Sequence, residues 1–170
     1  MKDSDSRNVA TLARLRSAKP SDLESVLNLL KAENLPRDGV SESFGDGYIV
    51  AEFDGTVLGV AGIERHGDFA LLRSVDVTTT HRCRGIGGQL VRNRLAQARE
   101  TGASGVYLLT TTAVDYFSRF GFEVVGRDHV PKHIRDCQEY RVSCPASATV
   151  MHLDFADKNG DSPNMFENQY

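Results

Sequence analysis

The segment Val75-Asp76-Val77-Thr78-Thr79-Thr80-His81-Arg82-Cys83-Arg84-Gly85-Ile86-Gly87-Gly88 constrains this chain more than any other. β-favouring residues run into a turn with glycines at 85, 87 and 88. A helical pattern starts at once, with Leu90, Val91, Leu95 and Ala98 on one face, and stops near Gly102. A helix that opens on glycines offers N–H groups without intrahelical acceptors and the positive end of its macrodipole, a combination that suits phosphate. Glycine matters there because a Cβ would hold an oxygen away from the amides. Arg82 and Arg84 add positive charge for a polyphosphate. The segment has neither the Gly-Lys-Ser/Thr of a P-loop nor the GxGxxG spacing of a dinucleotide site. Taken alone, it also fits a plain tight connection between strand and helix.

Strand-like and helix-like stretches alternate around this turn. Val9 to Ser17 alternates apolar and polar residues, as a half-buried strand does. Ser21-Asp22-Leu23-Glu24, after Pro20, has the form of a capping box; Leu23, Val26, Leu27 and Leu30 follow at helical spacing, predicting a helix that ends before Pro36. Tyr48 to Phe53 and Thr56 to Ile63, joined at Asp54-Gly55, predict a hairpin, and Phe69 to Val77 a third strand. Beyond the glycine turn come a buried strand over Val106 to Leu109, a short helix over Ala113 to Phe120 closed by Gly121, and a strand over Phe122 to Val125. A helix over Lys132 to Tyr140 and a last strand over Ala148 to Asp154 complete the order. It predicts one α/β domain around a mixed sheet.

With 170 residues, of which 40% are apolar, the chain has room for one domain with a real core, expected over residues 9–155. Residues 1–8 and 156–170 are polar and aperiodic and are expected to be flexible. The net charge of −3 supplies no basic field for nucleic acid or an anionic membrane. No apolar run is long enough to span a bilayer, and no signal-peptide pattern opens the chain, so a cytoplasmic location is expected. Three cysteines without CxxC do not form a disulfide framework. His129, His133 and His152 lack metal-ligand spacing, and no metal is expected.

Arg82-x-x-Gly85-x-Gly87, after a strand ending Val75-x-Val77, resembles the acetyl-CoA pyrophosphate loop of the GNAT acetyltransferase superfamily. Further on, Ala113-Val114-Asp115-Tyr116-Phe117-Ser118-Arg119-Phe120-Gly121-Phe122 resembles that superfamily's second cofactor motif, alanine and two aromatics before glycine-phenylalanine. Two linked motifs in the right order are more specific than one. Leu108-Leu109-Thr110-Thr111-Thr112, Tyr116-Phe117 and Cys144-Pro145-Ala146-Ser147-Ala148 are similar, more narrowly, to the arsenic-resistance-associated N-acetyltransferases.

The resemblance implies a mostly antiparallel central sheet flanked by helices, acetyl-CoA as cosubstrate, and acetyl transfer to an amine by direct attack. A small-molecule acceptor and a homodimer are the expected partners. It also implies that Val75 and Val77 offer backbone groups to the pantetheine arm. Gly85, Ile86, Gly87 and Gly88 then give amides to the pyrophosphate, flanked by Arg82, Cys83 and Arg84, with Phe117 also on the cofactor. Cys83 stands where the superfamily most often has glycine.

Two departures are chemical. The superfamily's glutamate base falls at Leu71 and its tyrosine acid at Phe117, with Tyr116 one position earlier. Neither Leu71 nor Phe117 can transfer a proton. Asp76 and Glu64, ahead of His81, are the candidate bases and Tyr116 a candidate acid; each also fits an ordinary sheet charge or packed ring. Orientation of a neutral amine against the thioester supplies much of the rate without them, and a backbone N–H of the strand before the loop can stabilise developing oxygen charge. Three other readings stay open: a cofactor-binding module without catalysis, an arsenic-binding protein using Cys137 and Cys144, and a protein or peptide N-acetyltransferase.

Overall fold

The computed structural model describes residues 13–143 and 146–156. Seven strands, β1 (Arg14–Ser17), β2 (Tyr48–Phe53), β3 (Thr56–His66), β4 (Phe69–Val77), β5 (Gly105–Thr110), β6 (Glu123–Val125) and β7 (Thr149–Asp154), form one sheet in the order β1-β2-β3-β4-β5-β7-β6. Every pair is antiparallel except β4 and β5, which run parallel. The expected mixed, mostly antiparallel sheet is therefore the one observed.

Local chemistry accounts for the first half. Asp54 and Gly55 take φ of 49° and 73°, the paired left-handed conformations that a two-residue hairpin turn requires. β3 then runs to His66, beyond its expected end at Ile63, because Glu64, Arg65 and His66 still pair with Leu71, Ala70 and Phe69.

Helix α1 (Leu23–Ala32) buries Val26, Leu29 and Leu30. The expected Ser21–Glu24 capping box is replaced. Pro20 opens a tight turn over Pro20–Asp22, and the Asp22 carboxylate accepts the Lys19 N–H at 2.7 Å, so the capping falls one step earlier. A short helix α2 (Val40–Ser43), which the periodicity did not foretell, follows Gly39 at φ 75°. Helix α3 (Ile86–Glu100) and the short α4 (Val114–Ser118) stand where expected. The expected helix over 132–140 is instead α5 (Lys132–Arg135) and a separate wide turn at Glu139–Ser143, since Cys137 and Glu139 must both turn inward. Val9 to Leu12 of the expected first strand, Cys144 and the tail from residue 157 lie outside the described residues.

The sheet buries both faces. Against α3 and α4 lie Ile63, Leu72, Val106, Leu108 and Met151 with Val91, Leu95 and Phe117. On the opposite face, Tyr48, Val50 and Val60 meet α1 and α2, while Leu71, Tyr107 and Val150 meet Ile134 and Cys137. No described helix is long and apolar enough to cross a membrane.

One charged clamp ties the first strand down. Arg16 forks onto both Asp22 carboxylate oxygens at 2.7 and 2.9 Å, and its Nε meets Glu52 on β2. The hydrogen bonds from Arg16 hold the Asp22 carboxyl below its usual range, against the upward push of burial. Its folded-state pKa is thus below the unfolded one, so this stability is present above about pH 4 and fades as pH falls through the folded value. Asp22→Asn is expected to cost about 2–3 kcal/mol in urea unfolding at pH 7. The gap from wild type should narrow in acid; a gap that widens there contradicts the clamp.

Candidate functional site

The sheet comes apart at one place. β4 pairs with β5 only through Phe69, Ala70 and Leu71, opposite Gly105, Val106 and Tyr107. Beyond that, β5 stays with β7 up to Thr110, while β4 stays with β3 up to Val77. The stretch Leu72–Val77 therefore has a neighbour on one side only.

A bulge sits on this free stretch. Val60 pairs with Asp76 and Gly62 with Arg73, so Ala61 opposes two residues, Ser74 and Val75. Ser74 takes the extra turn at φ 56°, a conformation costing a side-chain-bearing residue about 1–2 kcal/mol. Past the bulge, the Thr78 N–H donates to Leu58 on β3 at 2.8 Å. By strand alternation, the Val77 amide and carbonyl point the other way, into the opening.

Two helix starts flank the opening. The Gln89 N–H donates to the Gly85 carbonyl at 3.1 Å, the first bond of α3, so the N–H groups of Ile86, Gly87 and Gly88 precede the helical ladder. Gly85 holds φ 86°, and a Cβ there would meet nothing within 4 Å, which leaves the loop's outer surface clear. Cys83 is exposed at φ 62°, the left-handed conformation that explains glycine as the usual residue there. These residues fit the pyrophosphate of an acyl-CoA: a clear surface, leading amides and a helix N-terminus. From the far rim, the Tyr116 hydroxyl of α4 reaches over Gly87, where a Cβ would lie 2.7 Å from it. Burial pushes the Tyr116 phenol up, against Arg119 and Arg92, so it keeps its proton at neutral pH. Phe117 turns into the core against Phe122.

The charged candidates divide between two clusters on one sheet face. Asp76 is 6% exposed. Its Oδ1 accepts the Val77 N–H at 2.8 Å and Arg82 Nη2 at 3.0 Å, while its buried Oδ2 closes no hydrogen bond. Burial raises its carboxyl, and the Arg82 and Val77 contacts only partly oppose that. Arg82, expected to face phosphate, also donates to the Val77 carbonyl at 2.9 Å and pairs with Glu33 at 3.1 Å. Farther along, Glu64 accepts from Ser43 at 2.7 Å and Arg73 at 3.1 Å, with His66 at 3.3 Å. Burial pushes the Glu64 carboxyl up, but His66, Ser43 and Arg73 outweigh it and hold it below its ordinary value. Arg73 is 4% exposed, pairs with Glu139 at 2.6 Å and donates to the Asp38 carbonyl at 2.6 Å.

Arg73, Glu139, Ser43 and Tyr48 escaped the sequence reading. Arg73 carried a signal, a lone charge inside the apolar run Leu71-Leu72-Arg73-Ser74-Val75. The others did not, because only the fold brings them together. His81 stands apart with its Nδ1 near the hydroxyls of Thr78 and Thr80. Cys137 is buried, and burial raises its thiol pKa, which disfavours the thiolate that binds soft ligands.

The profile of the Acetyltransferase (GNAT) family matches residues 15–122. An amino-acid acetyltransferase of Shewanella oneidensis is 29% identical over 141 residues, covering 75% of this chain and 31% of that protein. An uncharacterised N-acetyltransferase of Chlorobaculum tepidum is 32% identical over 110 residues, covering 62% of this chain and 70% of that one. The fold is similar to the Neisseria gonorrhoeae N-acetylglutamate synthase complexed with coenzyme A and N-acetyl-glutamate. There the TM-score is 0.72 at 18% identity, over 84% of this chain and 35% of that one. This chain thus spans about a third of the length of the Shewanella and Neisseria proteins.

Leu71, where the resemblance would put a glutamate base, is fully buried between Tyr107, Ile134 and Val150. Leu71→Glu is therefore expected to lose more than about 3 kcal/mol of stability by urea unfolding, since the new carboxyl has no partner there. It should bring no gain in acetyl-transfer rate. A stable variant with faster turnover would contradict this placement.

Proposed function

The chain belongs to the acetyltransferase (GNAT) family, whose members use acetyl-CoA, and we propose that it moves the acetyl group to the amine of a small molecule by direct attack. The observation that carries the reading is the parting of β4 from β5 beside the glycine start of α3. When bound, acetyl-CoA supplies a thioester carbonyl that an amine can attack. The amides of Gly85, Ile86, Gly87 and Gly88 hold its pyrophosphate, with Cys83 and Arg84 alongside. Val75 and Val77 line the pantetheine arm once Arg82 yields the Val77 carbonyl.

Asp76 takes the proton from the attacking nitrogen. It has the raised carboxyl, a buried Oδ2 that closes no hydrogen bond, and the place beside the opening, and a base works best with a pKa drawn toward the working pH. Glu64, held ionised by its three partners, supplies negative charge to the acceptor side. Tyr116, the candidate acid, keeps its proton, but it lies over Gly87 at the pyrophosphate end of the cleft, where its hydroxyl is placed to donate to phosphate rather than to the departing thiolate.

A small acceptor is supported by the cover on this face. Asp38 and Ser43 are hydrogen-bonded down onto Arg73 and Glu64, leaving little room for a polypeptide. The amino-acid acetyltransferase relative points the same way. The motif likeness to arsenic-resistance acetyltransferases adds organoarsenical amines to the acceptors worth trying.

Wild-type protein is expected to bind acetyl-CoA more tightly than about 100 μM, near −5.5 kcal/mol, by calorimetry. Gly87→Val, which drives a side chain into the Tyr116 hydroxyl, should weaken that at least about tenfold. In a thiol-release panel of amino acids, alkylamines, organoarsenical amines and N-terminal peptides, turnover should appear with small amines. Asp76→Asn should then lower kcat/KM by about 10². Turnover confined to the peptides would overturn the small-molecule reading, and tight acetyl-CoA binding with no thiol release would make the chain a binding module.

A further inference from the structure

The Tyr48 ring lies against Gly62, where an added Cβ would come within 2.6 Å of it, and Gly62 is the cross-strand partner of Arg73. The hydroxyl therefore reaches the β4 bulge, beside those of Ser74 and Ser43 and near Arg73 and Glu64. Tyr48 is fully buried, and its hydroxyl and the buried Ser74 hydroxyl have each other and Ser43 as neighbours, with no well-formed hydrogen bond closed by either. Folding usually removes such groups or pairs them, because each costs stability. Two of them meet at Ser74, where the backbone is also strained and the sheet opens.

We propose that the Tyr48 and Ser74 hydroxyls, with the Glu64 carboxylate, form the subsite for the acceptor nitrogen, taken up as a primary ammonium without help from any acceptor carboxylate. The inference rests on the acetyl-transfer reading and names its substrate class. A primary ammonium has three N–H donors, and these are three acceptors; once one proton has passed to Asp76, the neutral amine keeps two N–H groups on this subsite and has its lone pair free to attack. Glu64 is the member nearest solvent, its side chain 17% exposed, and the ammonium takes the place of the Ser43 hydroxyl that now donates to it. Arg73 cannot serve a ligand carboxylate. It is buried, and its Nε and both terminal nitrogens already face Glu139, Glu64 and the Asp38 carbonyl, with three of its five N–H groups so engaged. Acetylation removes both the positive charge and two of the three donors, so the product amide fits this subsite worse than the amine and leaves.

Propylamine, N-methylpropylamine and L-glutamate serve as probes, titrated into CoA-loaded protein by calorimetry and assayed for thiol release with acetyl-CoA. Wild type should bind and acetylate propylamine in preference to the other two. Tyr48→Phe and Ser74→Ala should each raise the propylamine Kd and KM at least about tenfold while CoA affinity and circular dichroism stay unchanged. Unchanged propylamine affinity in Tyr48→Phe, preference for glutamate, or no propylamine binding by wild type overturns the subsite. Propylamine binding that depends on Tyr48 but yields no thiol release upholds the subsite and removes the acetyl-transfer reading instead.

Discussion

Everything of chemical interest in this chain depends on a backbone pairing that stops after three residues. β4 and β5 are neighbours in the sheet, yet they share hydrogen bonds only from Phe69 to Leu71. The closed end of that seam is laced tightly. Arg65 binds the carbonyls of Thr101 and Gly102, and the Ser104 N–H donates to Asp68. Past Leu71 each strand keeps its outer partner, β3 or β7, so the two halves of the sheet diverge as units without fraying. A strand edge left open in this way exposes backbone groups that must find partners. At Val77 the chain meets the demand with its own side chains, Asp76 on the amide and Arg82 on the carbonyl. Those same two groups stand where a bound amide chain would pair by β-augmentation.

The opening also organises charge. Asp76 and Glu64 lie on one face of the sheet, and their environments push them in opposite directions, burial raising the first while His66, Ser43 and Arg73 lower the second. Carboxylates separated in this manner divide labour, one available to a proton and one fixed as a counter-charge. The superfamily's own positions for such groups, Leu71 and Phe117, are packed into the two cores instead.

The sequence showed what local rules control. The Asp54-Gly55 hairpin, the glycine turn with α3, and β2 and β4 followed from turn chemistry and periodicity. Residues 132–140 misled, because a helical-looking pattern yielded to the need to bury Cys137 and Glu139 together. Within the site, the loop glycines, Asp76 and Glu64 were legible. The bulge at Ser74 was not, since it appears only when β3 and β4 are registered against each other. Nor was the link from Arg73 to Glu139, which joins distant segments of the chain.

The contact between the Tyr116 hydroxyl and Gly87 spans the opening from one rim to the other. A gap bridged by a single side chain has a width set by that side chain's length, and glycine is the only residue that lets the bridge close. A side chain at position 87 would push α4 away from the start of α3, so the width of this rim is coupled to the absence of a Cβ there.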